Sequence, residues 1–310
     1  MAKYIVKRFI LMVVTVLIIA TLTFFLMNVI PGSPFNEERS SNATVEQNLR
    51  EHFHLDEPLF VQYALYLKSI ATFDFGPSIK QPTETVNSLL GRGFPISAEL
   101  GIWTILVAVV SGILLGVFAA LKHNGLIDYL AMTIAVLGIS VPNFVMATLL
   151  IQELAVTLPI FPAATWSSPK HMVLPIFALA TGPMAIIARL TRSSMLETLT
   201  QDYIKTARAK GLSPVKVVVK HALKNALMPV VTILGTLIAG ILTGTFVIEK
   251  IFAIPGMGKY FVEGINQRDY PVIMGTTVFY STFLVVMLFL VDIAYGLLDP
   301  RIKLHKKGGR

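Results

Sequence analysis

Long runs of apolar residues alternate with short polar stretches along this chain. Runs at Phe9–Ile30, Ala98–Leu121, Tyr129–Leu158, Met172–Leu190, Met228–Ile248 and Pro271–Leu290 each approach or exceed the roughly 20 residues a helix needs to cross the hydrocarbon of a bilayer. They predict six membrane-spanning helices. The third run is longer than one crossing needs and contains Pro142, which predicts a kink or break. The fourth contains Pro175 and Pro183 and is expected to be irregular. Gly235, Gly240 and Gly244 in the fifth suggest close helix packing, with this span also a candidate lining of a pathway. The first run is too long for the apolar core of a signal peptide, which is about 7–15 residues, and Pro31-Gly32 follows it instead of a small-residue cleavage site. It reads as an uncleaved first span.

The polar stretches complete the plan. Residues 31–97 form the longest segment between spans. Thr44 is placed to cap a helix running to about His54, and LFVQYALYLKSI has the pattern of a second, amphipathic helix. The expected organisation is an N-terminal transmembrane helix at 1–30, an extracellular loop or cap at 31–97, a transmembrane core at 98–296 and a tail at 297–310. Composition agrees: 54% of the 310 residues are hydrophobic and 14% charged, against about 25% charged in a soluble domain. The chain has no cysteine, which excludes disulfides, thiolate metal sites and a cysteine nucleophile. Its net charge of +8 is not read as a nucleic-acid footprint, because in a membrane protein Lys and Arg collect on the cytoplasmic side. With an internal N-terminus, 17 of the 26 Lys and Arg fall on the inner segments. The expectation is a multi-pass protein of a prokaryotic plasma membrane with both termini in the cytoplasm.

In that topology residues 191–227 form the longest inner loop. Within it, YIKTARAKGLSPVKVVVKHALKNALMP (203–229) carries six Lys or Arg and no acid. Gly211 suits a left-handed helix end, Ser213 an N-cap and Pro214 a first helical position, so the local code is helix, sharp turn, helix. At 100° per residue, Lys216, Lys220 and Lys224 share one face, and Val215, Val218, Val219, Ala222 and Ala226 share the other. A topology signal needs only the charge. The turn between two short helices suits a protrusion gripped by another protein, and Ala207, Ala209 and Gly211 permit close approach.

The catalytic inventory is empty. AIPGMGKY has Ala253 for the first glycine of a nucleotide-binding loop and Tyr260 for its Ser or Thr. Neither HExxH nor GxSxG occurs. His52 and His54 lack a third metal ligand, and His171 is single and near a span end. The ionisable residues Glu99, Glu153, Arg189, Glu249 and Asp292 lie near span ends, where anchoring or pairing between helices is expected. Glu153 and Asp292 are the foremost candidates for another role. No buried relay for a proton-driven carrier is visible.

TARAKGLSPVKVVVKHALKNALMP resembles the cytoplasmic loop of type I ABC importer permeases, whose motif is Glu-Ala-Ala, three residues, Gly, and later Ile-x-Leu-Pro. Aligned on Gly211, Lys205, Thr206 and Ala207 take the Glu-Ala-Ala positions, and Leu227-Met228-Pro229 takes the closing one. The departure at the first two positions is similar to the oligopeptide and dipeptide branch, as are NVIPGSPF, LDEPLFVQYALYL, FDFGPSI, ISVPNF, EKIFAIPGMGKYFVEGINQRDYPVI and LLDPRI. The resemblance covers essentially the whole chain. It implies an all-α membrane protein of six transmembrane helices with the type I fold, acting as the first permease subunit of an oligopeptide importer. Dipeptides, nickel or another small solute are alternative cargoes. It places ATPase coupling on Lys205, Thr206, Ala207, Arg208, Ala209, Lys210, Gly211, Leu212, Ser213 and Pro214, with Ala207 to Ser213 in direct contact. It implies as partners a homologous permease, two cytoplasmic ATPases that bind ATP and Mg, an external peptide-binding protein and the bilayer. This chain would hold no cofactor and catalyse no reaction. A membrane-embedded enzyme and a self-sufficient carrier are the remaining readings.

Overall fold

A computed structural model describes residues 2–29, 51, 54–243 and 245–298. The helices are α1 (Ala2–Val29), α2 (Leu59–Thr72), α3 (Val86–Leu121), α4 (Leu126–Ser140), α5 (Asn143–Ile151), α6 (Pro169–Leu199), α7 (Asp202–Ala209), α8 (Pro214–Lys216), α9 (Leu223–Ala226), α10 (Met228–Thr243), α11 (Phe246–Ile251), α12 (Met257–Gln267) and α13 (Tyr270–Leu298). Single π-helical turns follow α5 at Gln152–Thr157 and α8 at Val217–Ala222. Among the described residues, five helices are long and apolar enough to cross a membrane: Tyr4–Val29, Val86–Leu121, Pro169–Leu199, Met228–Ile251 and Tyr270–Ile293. The third predicted span is a bent pair, Leu126–Ser140 and Asn143–Thr157, at 106°.

Pro142 explains the bend. It has no N–H to donate, and it drives the residue before it out of the helical region. Val141 (φ −89°, ψ 118°) and Pro142 (φ −57°, ψ 141°) are both extended, and the helix restarts when Met146 N–H reaches the Pro142 carbonyl at 3.0 Å. The irregularity expected from Pro175 and Pro183 does not occur: α6 runs unbroken through both. Packing overrides the lost hydrogen bonds, since Leu174, Pro175, Ala178, Leu179, Ala180, Thr181, Met184 and Ala185 are all buried. The helix also continues past the predicted span end at Leu190 to Leu199.

The chain divides into two compact units, residues 1–97 with 255–310, and residues 98–254. In the first, α1 lies along α13, with Phe9 edge-on to Phe289 and the Arg8 guanidinium 3.0 Å from Asp292. The expected amphipathic helix in the loop is α2. It docks on α1 through Tyr63 and Tyr66 against Phe24, and the Tyr63 and Thr21 hydroxyls lie 2.6 Å apart. Asp269 is buried and fastens the loop to the start of α13. It accepts hydrogen bonds from the Ser78 hydroxyl and from the N–H groups of Ile79, Lys80 and Val272. The helix predicted from Thr44 to about His54 lies outside the described residues, apart from Glu51 and His54.

In the second unit, α6 packs against α4, α5 and α10. Glycines set the spacing. A Cβ at Gly112 would fall 2.8 Å from the Met184 carbonyl oxygen, and one at Gly138 would fall 2.9 Å from that of Thr181. Close approach of this kind is a membrane substitute for hydrophobic driving force. The close packing expected at the fifth-span glycines is not found at Gly240, where an added Cβ would meet nothing within 4 Å. Gly244 lies outside the described residues.

Candidate functional site

The basic stretch folds as a small two-limbed projection on the end of α6. Its first limb is α7, which starts after an extended Gln201 (φ −68°, ψ 150°). Lys210 N–H bonds to the Thr206 carbonyl at 3.0 Å, and Gly211 N–H bonds to the Arg208 carbonyl at 2.9 Å, closing the helix. Gly211 then takes φ +75°, a conformation that side chains with a Cβ rarely adopt. Space is not the reason for glycine here, because an added Cβ would meet nothing within 4 Å. The backbone angle alone asks for it. The expected helix, turn, helix is therefore present.

Two details differ from expectation. Ser213 occupies the N-cap position, but its side chain makes no capping hydrogen bond; only its carbonyl is used, accepting from Val217 N–H at 3.0 Å. The second limb also turns a different face inward. Val217, Ala222 and Ala226 are buried, whereas Val215 and Val219 are 72% and 60% exposed. The π-helical turn over Val217–Ala222 is the cause. It inserts a residue, so the inward positions fall five and then four apart instead of following 100° steps.

The projection has its own core. Ile204 and Ala207 of α7 pack with Val217, Ala222 and Ala226 of the return limb on Met195 of α6 and Ala120 of α3. The Asn225 amide donates to the Tyr203 hydroxyl at 2.8 Å, tying the limbs. Of the residues expected to contact an ATPase, Ala207 is buried in this core and Leu212 is half-buried against it. Lys205, Thr206, Arg208, Ala209, Lys210, Gly211, Ser213 and Pro214 are exposed. Lys216, Lys220 and Lys224 are exposed as well, so the surface is cationic around the turn and along the return limb.

The span-end residues resolve in different ways. Asp292 pairs with Arg8 as stated, and Glu99 accepts from the Trp166 indole N–H at 3.2 Å. His171 lies 2.9 Å from the Ser168 hydroxyl. Glu249 is fully buried and accepts from the Thr245 hydroxyl. Glu153 and Arg189 are exposed. His52 lies outside the described residues, and His54 lines a cavity of about 260 Å³ with Phe24, Asn28, Tyr66, Asp74 and Tyr270.

One constellation escaped the sequence reading. Asp128, in the first turn of α4, is 2% exposed. Arg192 of α6 grips it with two donors, Nε to Oδ1 at 2.5 Å and Nη2 to Oδ2 at 2.7 Å. The Asn124 N–H adds a third donor at 2.9 Å, and His123 Nδ1 lies 3.2 Å from both Asp128 Oδ2 and Arg192 Nη2. The available signal was an acid and an arginine, each close to a predicted span end on the same side of the membrane.

Comparison with known proteins bears on the whole chain. The profile described as binding-protein-dependent transport system inner membrane component matches residues 112–304, and the profile for the N-terminal part of such components matches residues 1–114. The chain belongs to this permease family. It is thus a membrane component of a binding-protein-dependent transport system, as the basic loop and the apolar helices anticipated. The dipeptide transport system permease protein of Bacillus subtilis is 72% identical over 99% of this chain and 100% of its own length. The oligopeptide transport system permease protein of Haemophilus influenzae is 42% identical over 98% of this chain and 100% of its own. Among solved structures, a chain of the inward-facing MetNI methionine ABC transporter superposes with TM-score 0.56 at 19% identity, covering 68% of this chain and 96% of that one. A chain of an amino acid ABC transporter gives 0.54 at 14% identity, covering 68% and 94%. The fold is that of the type I importer permeases.

Proposed function

We propose that this permease carries peptides inward as one of a pair of homologous permeases, powered by two cytoplasmic ATPases and supplied by an external peptide-binding protein. The high identity to a permease named for dipeptides, beside 42% to those named for oligopeptides, favours short peptides as cargo. Both termini lie in the cytoplasm of a prokaryotic cell, following the Lys and Arg distribution. ATP and Mg belong to the partner ATPases, and this chain neither binds them nor catalyses a reaction.

The observation that carries the coupling role is the shape of the loop. A glycine-dependent turn projects from an apolar core, with Lys205, Arg208 and Lys210 exposed around it. The turn seats in an ATPase, and closure of the ATPases moves it as a rigid body. The test replaces Gly211 with valine and, separately, with asparagine, which tolerates left-handed backbone. Gly211→Val is expected to abolish uptake of a labelled dipeptide while leaving the chain in the membrane, and Gly211→Asn to retain it. Normal uptake by the valine variant would remove the coupling assignment. Peptide flux through liposomes holding this chain alone, without ATP, would favour a self-sufficient carrier instead.

A further inference from the structure

The Asp128–Arg192 pair sits where the projection joins the rest of its unit. Arg192 is three residues before Met195, the α6 residue on which the core of the projection packs. At the same level α3 closes on α6: a Cβ at Gly116 would fall 2.5 Å from the Ala188 carbonyl oxygen and 2.6 Å from Thr191 Cβ. Ala120, one turn further along α3, belongs to the core of the projection. The root of the projection is therefore held both by α3 and by the Asp128 bond to α4.

The chemistry of the bolt is specific. A carboxylate that is 2% exposed is costly to bury, and replacing such pairs with apolar residues is often neutral or stabilising. General stability is thus a poor reason for it. Direction is a better one. A bidentate guanidinium–carboxylate pair fixes distance and orientation together, which one apolar contact does not. It holds the first turn of α4, and α4 leads through Val141–Pro142 into the 106° bend with α5.

We propose that Asp128 and Arg192 are positioning residues that make the projection, the end of α6 and α4 a single lever, so that displacement of the projection is delivered to the bent α4–α5 pair. This rests on the coupling role assigned to the loop. Without the pair, α6 can move while the start of α4 lags, and ATP is consumed without import.

The assembled importer, with partner permease, ATPases and binding protein, is reconstituted in liposomes, and peptide imported per ATP hydrolysed is measured. Asp128→Asn and Arg192→Gln are each expected to lower that ratio about tenfold while ATP hydrolysis stays within about twofold of the parent. Arg192→Lys keeps the charge but loses the fork, and should fall between. The reversed pair, Asp128→Arg with Arg192→Asp, should regain much of the ratio. An unchanged ratio in the single variants overturns the proposal. So does a fall in hydrolysis and import together at an unchanged amount of assembled complex. Where the neutral variants fail to assemble, Arg192→Lys decides: a lowered ratio supports the lever and an unchanged one refutes it. The cysteine-free chain allows a separate control, Ser213→Cys cross-linked to the ATPases. No cross-link overturns the coupling role and the lever with it; a cross-link with an unchanged ratio overturns the lever alone.

Discussion

Gly116 of α3 lies flush against Thr191 of α6, so close that an added methyl would fall 2.6 Å from the threonine Cβ. The obstruction includes the Ala188 carbonyl oxygen and the Arg192 nitrogen, which are backbone and cannot swing aside. Gly116→Ala is expected to force the helices apart at a cost of about 1–3 kcal/mol, and Gly116→Val more. Thermal unfolding of the detergent-solubilised chain measures this. Gly240→Ala supplies the contrast, because its Cβ would meet nothing within 4 Å among the described residues; a larger loss at Gly240 than at Gly116 would refute the packing assignment.

The Arg8–Asp292 pair is partly exposed, at 42% and 25% of the two side chains. Partly exposed pairs contribute little, so Arg8→Ala or Asp292→Ala should each cost about 1 kcal/mol or less. The double variant should cost no more than the larger single loss, because one interaction is removed once. Unfolding measurements on the three variants test this. Strictly additive losses would show that the two groups act separately.

Tyr66 carries a hydroxyl that is buried and without a hydrogen-bond partner among the described residues. Burial pushes its phenol above the ordinary value. Tyr66→Phe removes the unsatisfied group and keeps the ring stacked on Phe24, so it is expected to be neutral or stabilising by up to about 1 kcal/mol. Tyr66→Ala should cost about 3–5 kcal/mol. A clear loss in the phenylalanine variant would reveal a partner for the hydroxyl.

Glu84 precedes α3, and its carboxylate is held below the ordinary value, first by the Ser88 hydroxyl at 2.7 Å and then by Arg92 at 2.6 Å. A depressed carboxylate supports the fold above its unfolded value of 4.5, and the support fades as pH falls from there through the lowered value. Hydrogen exchange at Ser78 and Val86, whose N–H groups bond to Glu84 and Gly76, should lose protection across that window after correction for intrinsic rates. In Glu84→Gln the change should be absent. Equal pH dependence in both chains would remove Glu84 as its source.

The apolar runs located the five membrane-length helices and the bent pair among the described residues, because a helix that crosses a bilayer must be apolar over about 20 residues. The turn at Gly211 was legible for a local reason, a glycine followed by Ser-Pro. What escaped depended on contacts between distant segments. Pro183 did not break α6 because neighbouring helices hold it. Val215 and Val219 turned outward because a π turn cannot be seen in a pattern laid out at 100° per residue. Asp128 and Arg192 are 64 positions apart, and only the fold reveals that they meet. Glycine count pointed to the fifth span, yet Gly112, Gly116 and Gly138 outside it are the ones seen to press on the α6 backbone.

The extra residue between Val217 and Ala222 gives the return limb one place where its length can change without turning its inward face. Exchanging one small aliphatic residue for another there leaves the geometry alone. Deleting a single residue within it would restore regular winding and leave the inward positions four apart throughout, whereas the same deletion in a regular helix turns everything downstream by about 100° and shifts it about 1.5 Å along the axis. Made after Ala222, the deletion would take Ala226 from its seat, and Met228, where the fifth span begins, would enter the membrane with a different side facing its neighbours. For this segment, then, a one-residue gap should be found among working relatives at the π turn and be rare in the regular winding on either side of it.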